Sequence, residues 1–264
     1  MKYGFIGLGN MASAIIRGLV KNGVPGADIY GGSARPATGQ ALAKAIGLTA
    51  CASSADVVKN ADVIVLAVKP QVLPGVLDEI KSLPLEGKLF ISIAAGLTLS
   101  WLRGSLGPVP IVRVMPNINA KIRAATSLLC AGPDASEENV KTARDIFEAV
   151  GTVTEIPEHL FAAATAISGA SPAFTYMYID AMARAALRFG IPKKLALEIA
   201  ASSVAGSAKM ILESDEHPMS LADQVCSPAG TTIAGVVSLQ KNAFESAVQQ
   251  AVEAVILRDR EIAK

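Results

Sequence analysis

Residues 227–235 read SPAGTTIAG. The stretch joins a proline and two glycines to paired threonines, Thr231 and Thr232, and apolar sequence follows. It holds no acid, no base and no nucleophile stronger than a hydroxyl. Such a loop can hydrogen-bond and orient a reactant. A helix starting at its end would offer unpaired N–H groups to an anion. The bond-changing chemistry would then belong to a bound cofactor.

A second stretch, KYGFIGLGNMASAI, fits that division of labour. It contains Gly7-x-Gly9-x-x-Ala12 between an apolar strand-like run and a helical one. Gly7 permits a tight turn, Gly9 lets backbone approach a pyrophosphate, and Ala12 allows close helix–strand packing. The helix start adds free N–H groups and a positive dipole end. Asn10 and Met11 stand at that start. A carboxylate usually follows about 20 residues later to hold a ribose hydroxyl. Here the second strand, in DIYGGSARPA, ends in Gly31, Gly32, Ser33 and Arg35, and Asp28 comes too early. A hydroxyl and a guanidinium suit a 2′-phosphate, so NADPH is expected, with NADH as the alternative. Two further strand ends, AVKPQ (67–71) and SIAAG (92–96), should face the same ligand. Val68, Lys69, Pro70, Ala94 and Ala95 are therefore expected around the cofactor, with Ser54 completing the set.

The elements that position these residues fall into two halves. Residues 1–157 alternate short apolar strands with helical stretches, and several strands are unbroken apolar runs. That pattern predicts an α/β, doubly wound domain with a parallel sheet covered on both faces. Ser136 should cap the helix SEENVKTARDIFEAVG. Residues 158–264 lack strand-like alternation and predict an all-helical domain. Ser171 is a candidate cap, with Pro172 in the first helical position. The helix at 172–189 is apolar on nearly every side, which places it at a subunit interface ahead of a simple core.

Composition narrows the class. Lys and Arg number 24 against 23 Asp and Glu, so no polyanion partner such as nucleic acid is implied. Hydrophobic residues make up 51% and charged residues 18%, and mean hydropathy is +0.42. Part of the surface should therefore lie between subunits. The strand-like runs 63–68 and 89–97 are far below the ~20 residues of a membrane span. Cys51, Cys130 and Cys226 are isolated in sequence, and His159 and His217 are the only histidines. Free thiols in a reducing cytoplasm and no metal site are the expectation.

GFIGLGNMASAI, AVKPQ, SIAAG, VRVMPN, ISGASPAF and SPAGTTIAG stand in the order and spacing of pyrroline-5-carboxylate reductases, which the whole chain resembles. The resemblance implies reduction of the cyclic imine 1-pyrroline-5-carboxylate to L-proline, the last step of proline biosynthesis. It implies a Rossmann-like domain followed by a helical dimerisation domain, with dimers often assembling into decamers. It also implies that Ala229, Gly230, Thr231 and Thr232 form the substrate loop. Backbone N–H groups of 230–232 would take the carboxylate, and Thr232 would contact the ring nitrogen as the catalytic hydroxyl. Ala229 stands where the family usually has glycine, and Ile118-Asn119 and Ala170-Ser171 also depart from its usual motifs. A β-hydroxyacid dehydrogenase would need a lysine in the helix after the junction, and SGASPAFTYMYIDAMARAA has none. A non-catalytic NADP-binding sensor would not need the threonine loop.

Overall fold

In a computed structural model, residues 1–262 are described. In chain order the first part runs β1 (Tyr3–Ile6), α1 (Asn10–Lys21), β2 (Ile29–Gly32), α2 (Pro36–Ile46), β3 (Thr49–Cys51), α3 (Ser54–Asn60), β4 (Val63–Leu66), α4 (Leu73–Ile80), β5 (Leu89–Ser92), α5 (Leu99–Leu106) and β6 (Ile111–Met115). β7 (Ala125–Ala131), α6 (Glu137–Glu148), β8 (Gly151–Glu155) and α7 (Phe161–Ser168) follow. The remaining helices are α8 (Ser171–Leu187), α9 (Lys193–Glu213), α10 (Pro218–Val225), α11 (Thr231–Lys241) and α12 (Phe244–Ile262).

The eight strands form one sheet in the order β3-β2-β1-β4-β5-β6-β7-β8. The first six reproduce the doubly wound order, with the reversal of winding between β1 and β4. Strand periodicity explains the two cores. Phe5, Val63, Val65, Leu89, Ile91, Val112 and Val114 face one hydrophobic cluster with Ile15, Ile16 and Leu19 of α1 and Phe147 of α6. Their neighbours Ile6, Ile64, Leu66, Phe90 and Ile111 face the other, with Val57 of α3, Leu77 of α4 and Leu102 of α5. These strands are buried on both faces, which is why they read as unbroken apolar runs.

The sheet is not the wholly parallel one that the alternation predicts. β7 runs antiparallel to β6, and β8 then pairs parallel with β7. The segment between β6 and β7 carries only a 3-10 turn, Ile118–Ile122. A parallel crossover takes about a dozen residues or more, so the chain returns beside itself instead. Ser136 caps α6 in a full capping box with Asn139.

The chain divides into two compact units, Met1–Gly169 with the residues from Ile256, and Ala170–Val255. Strands end before Pro157, yet α7 belongs to the first unit, because Phe161 is buried in the second of its hydrophobic clusters. Ser171 does not cap α8. The chain stays in right-handed helical backbone through Gly169 and Ala170, so Ser171 and Pro172 lie inside the first turn.

The second unit is entirely helical and has little core of its own. In α8 only Pro172 and Ala183 are buried, and in α9 only Ala196 and Ala200. Met177 is 73% exposed and Leu212 86%. An apolar groove of about 610 Å³ runs along α8, lined by Phe174, Met177, Met182, Phe244 and Val248 among others. α9 is by length and composition apolar enough to cross a bilayer, with a mean hydropathy of 1.4. Its polar residues are spread around it, so no apolar stripe of helical period stands out.

Candidate active site

The candidate cofactor-binding residues gather at the carboxyl ends of β1, β2 and β4. Gly7 follows β1 with φ 97°, a left-handed conformation that favours glycine. A Cβ there would come within 2.7 Å of the Ala67 carbonyl oxygen, the first residue beyond β4. The glycine thus lets the two strand ends close on each other at the winding reversal. Gly9 is different. It precedes α1 with extended backbone and no side-chain cap, and a Cβ on it would meet nothing within 4 Å. Open space therefore stands over an uncapped helix start, with no acid in its first turn. That is the cradle a pyrophosphate requires. Ala12 is buried and belongs to the first hydrophobic cluster, as close packing demands.

Two clefts of about 300 and 310 Å³ meet at Ser33 and Ala52. The larger also brings together Gly7, Ser54 and Val68, which are far apart in sequence. The Ser33 Oγ accepts the Arg35 backbone N–H at 3.2 Å, leaving its own proton to donate outward. The Arg35 side chain is exposed beside the start of α2 and does not line either cleft. Asn10 and Met11 lie in the first turn of α1. Lys69 and Pro70 shape the loop before α4, where the Lys69 carbonyl accepts the N–H groups of Val72 and Leu73. Ala94 is buried and Ala95 exposed in the loop after β5. These loop residues share the ligand edge of the sheet without lining the clefts.

Sequence reasoning missed two contributors. Ser53 caps α3 by accepting the Asp56 N–H at 3.1 Å, and it lines the larger cleft. The spacing Ser53-x-x-Asp56 is a recognisable helix-start pattern that could have revealed it. Glu79 also lines this cleft, and its carboxylate accepts the Ala55 N–H at 3.2 Å. So an acid does reach this cleft, although none follows β2. It arrives from α4, where no local signal marks it. In the neighbouring cleft, burial and then the charge of Asp56 raise the Cys51 thiol above its ordinary pKa.

Behind the edge, Asn117 of the MPN segment is buried and makes three hydrogen bonds. Its Nδ2 donates to the Ser168 carbonyl at 2.9 Å, and its Oδ1 accepts the N–H groups of Asn119 and Thr126. Arg113 is buried, pairs with Glu158 at 2.6 Å and stacks 4.6 Å from the Phe161 ring.

The threonine loop lies in the second unit. The Gly230 N–H donates to the Ser227 carbonyl at 3.0 Å, with Pro228 and Ala229 between them. Ala229 has φ 56°. A proline second and a positive φ third are the features of a type II turn. Glycine is the natural residue at that third position, so Ala229 carries backbone strain of about 1–2 kcal/mol. The Gly230 N–H is consequently not free, contrary to the expectation that 230–232 would all offer theirs. The turn consumes it. α11 begins at Thr231 with Gly230 as an uncapped N-cap, so the first-turn donors are those of Thr231, Thr232 and the next residue. Thr231 and Thr232 are both exposed. A Cβ on Gly230 would fall 2.3 Å from the Ser227 Oγ, so a side chain there requires the serine hydroxyl to rotate away.

Residues 158–262 match the family model for pyrroline-5-carboxylate reductase dimerisation, and 2–96 match that for NADP oxidoreductase, coenzyme F420-dependent. The pyrroline-5-carboxylate reductase of Methanosarcina acetivorans is 42% identical over 266 residues, covering 100% of this chain and 98% of that protein. The chain belongs to the pyrroline-5-carboxylate reductase family. Among solved structures, the Coxiella burnetii enzyme of this family superposes with a TM-score of 0.93 at 31% identity, covering 100% of this chain and 98% of that one. The Plasmodium falciparum pyrroline carboxylate reductase, solved with NADP bound, gives a TM-score of 0.89 at 31% identity over the same shares.

Proposed function

We propose that this protein reduces 1-pyrroline-5-carboxylate to L-proline with NADPH as electron donor and NADH as the alternative. Full-length identity to reductases of this substrate carries the reading. The uncapped, glycine-lined start of α1 and the clefts around Ser33 fit the dinucleotide. Gly7, Gly9, Asn10 and Met11 would hold its pyrophosphate, Ser33, Arg35 and Ser54 its adenosine end, and Val68, Lys69, Pro70, Ala94 and Ala95 the remainder. When bound, the reduced nicotinamide supplies a hydride.

The protein's own residues then have three tasks. They hold the substrate carboxylate, orient the C=N bond and stabilise the ring nitrogen. The first-turn N–H groups of Thr231 and Thr232 suit the carboxylate. The Thr232 hydroxyl contacts the nitrogen, and Ala229 and Gly230 shape the loop around the ring. A protonated imine is already electrophilic, so no side-chain acid or base is required. Positioning supplies the rate enhancement. The enzyme works in the cytoplasm as a homodimer, with dimers assembling into a decamer. The deciding assay mixes protein, NADPH or NADH, and 1-pyrroline-5-carboxylate. It follows loss of nicotinamide absorbance and appearance of proline. A protein that consumes neither cofactor is not this enzyme.

A further inference from the structure

The first unit contains another concave feature, which shares no lining residue with the clefts at Ser33. It is a cleft of about 250 Å³ between α1 and the 3-10 turn at 118–122. Arg17 and Lys21 line it from α1, and Lys121 and Arg123 from the turn. No acid lines it. Among the described residues, no ion pair includes any of these four cations. Arg17 and Lys21 stand one turn apart on a single helix, a spacing at which like charges repel. Over the whole chain the positive and negative charges nearly cancel, so this concentration is a local one.

One of the cations is held in place. Arg123 has φ 61°, in the left-handed region, and terminates the 3-10 turn. Its Nε donates to the Ala149 carbonyl at 3.0 Å, and its Nη2 donates to the Asn22 Oδ1 at 2.7 Å. The guanidinium is therefore braced at the cleft by two neutral acceptors instead of swinging away from the other three charges. Neutral partners leave its positive charge uncancelled.

We propose that this cleft binds a compact, multiply charged phosphate of the pyrophosphate class. Two arginines and two lysines offer forked donors and point charges suited to such oxygens. A volume below the ~300–1,000 Å³ of pockets for larger organic ligands favours a small anion over a whole dinucleotide.

The test is calorimetric titration of the full-length protein with inorganic pyrophosphate at low ionic strength, with and without saturating NADP. Saturable binding should persist with NADP present. It should weaken at least about tenfold as salt rises towards 0.15 M. In the double variant Arg17→Gln/Lys121→Gln it should fall by roughly tenfold or more. Without ligand, that variant should melt no lower than the parent, because it removes repulsion and neither side chain is buried. Lys121→Gln alone, at an exposed position, provides the same comparison with least risk to folding. Absence of saturable binding would overturn the proposal. So would loss of binding when NADP is added, or equal affinity in the variants. If the protein bound no NADP, the variants would still decide this question independently of the cofactor assignment.

Discussion

Thr232 and Ala229 sit three residues apart and invite opposite experiments. The Thr232 hydroxyl is assigned to the substrate nitrogen, and a hydrogen bond to a charged group contributes about 1.5–3 kcal/mol. Thr232→Ala should therefore lower turnover at least about tenfold, while NADPH affinity measured by nucleotide fluorescence stays nearly unchanged. An unaltered rate would remove Thr232 from the mechanism. Ala229→Gly should relieve the positive φ, offset in part by the greater freedom of glycine when unfolded. The expected net gain is about 0.5 kcal/mol, read as a higher urea midpoint. A third residue speaks to pH. Burial pushes the Cys130 thiol from 9.0 up to about 12, with the Arg113 charge pulling the other way. The folded state thus holds this proton more tightly than the unfolded state. Its contribution is intact below about pH 9 and is lost as pH rises from there towards 12. Urea midpoints should fall between pH 9 and 11, and less steeply in Cys130→Ala.

At the scale of elements, the two glycines of the β1–α1 turn separate structure from ligand binding. Gly7→Ala drives a Cβ into the Ala67 carbonyl, so it should destabilise the fold itself. Gly9→Ala meets open space, so melting should be unchanged while NADPH affinity drops about tenfold or more. Equal melting losses in both would contradict this division. The turn was legible in sequence because every part of it is local: strand, glycines, helix. The cap at Ser136 was legible for the same reason. Glu79 was not, because its place at Ala55 depends on how α4 packs beside α3. β3 has no signal in the sequence because it is three residues long, two of them exposed, and carries no alternation to read. The antiparallel return at β7 hinges on the shortness of one connection, which hydrophobic patterning does not encode. The Gly230 N–H looked free because a helix start implies it. The preceding turn, with its positive φ on an alanine, claims it instead.

At the scale of the molecule, the first unit buries two full cores and the second almost none. The apolar excess seen in the composition is therefore unevenly placed. Met177 lines the groove along α8, and the dimerisation family model covers that helix. Met177→Glu would bring an unpaired charge into a desolvated contact, at a cost of several kcal/mol. Sedimentation at micromolar concentration should then show monomer in place of dimer, with the first unit still binding NADPH. An unchanged sedimentation coefficient would move the interface off α8.

The sparse core of α8 and α9 has a bearing on what stability means for this protein. Where a helical unit completes its burial only against another copy, folding and association are one equilibrium. The unfolding free energy then contains a logarithm of protomer concentration, so no single melting temperature belongs to the chain. Dilution acts as a denaturant aimed at one half of the molecule. The sheet-bearing half keeps its own threshold.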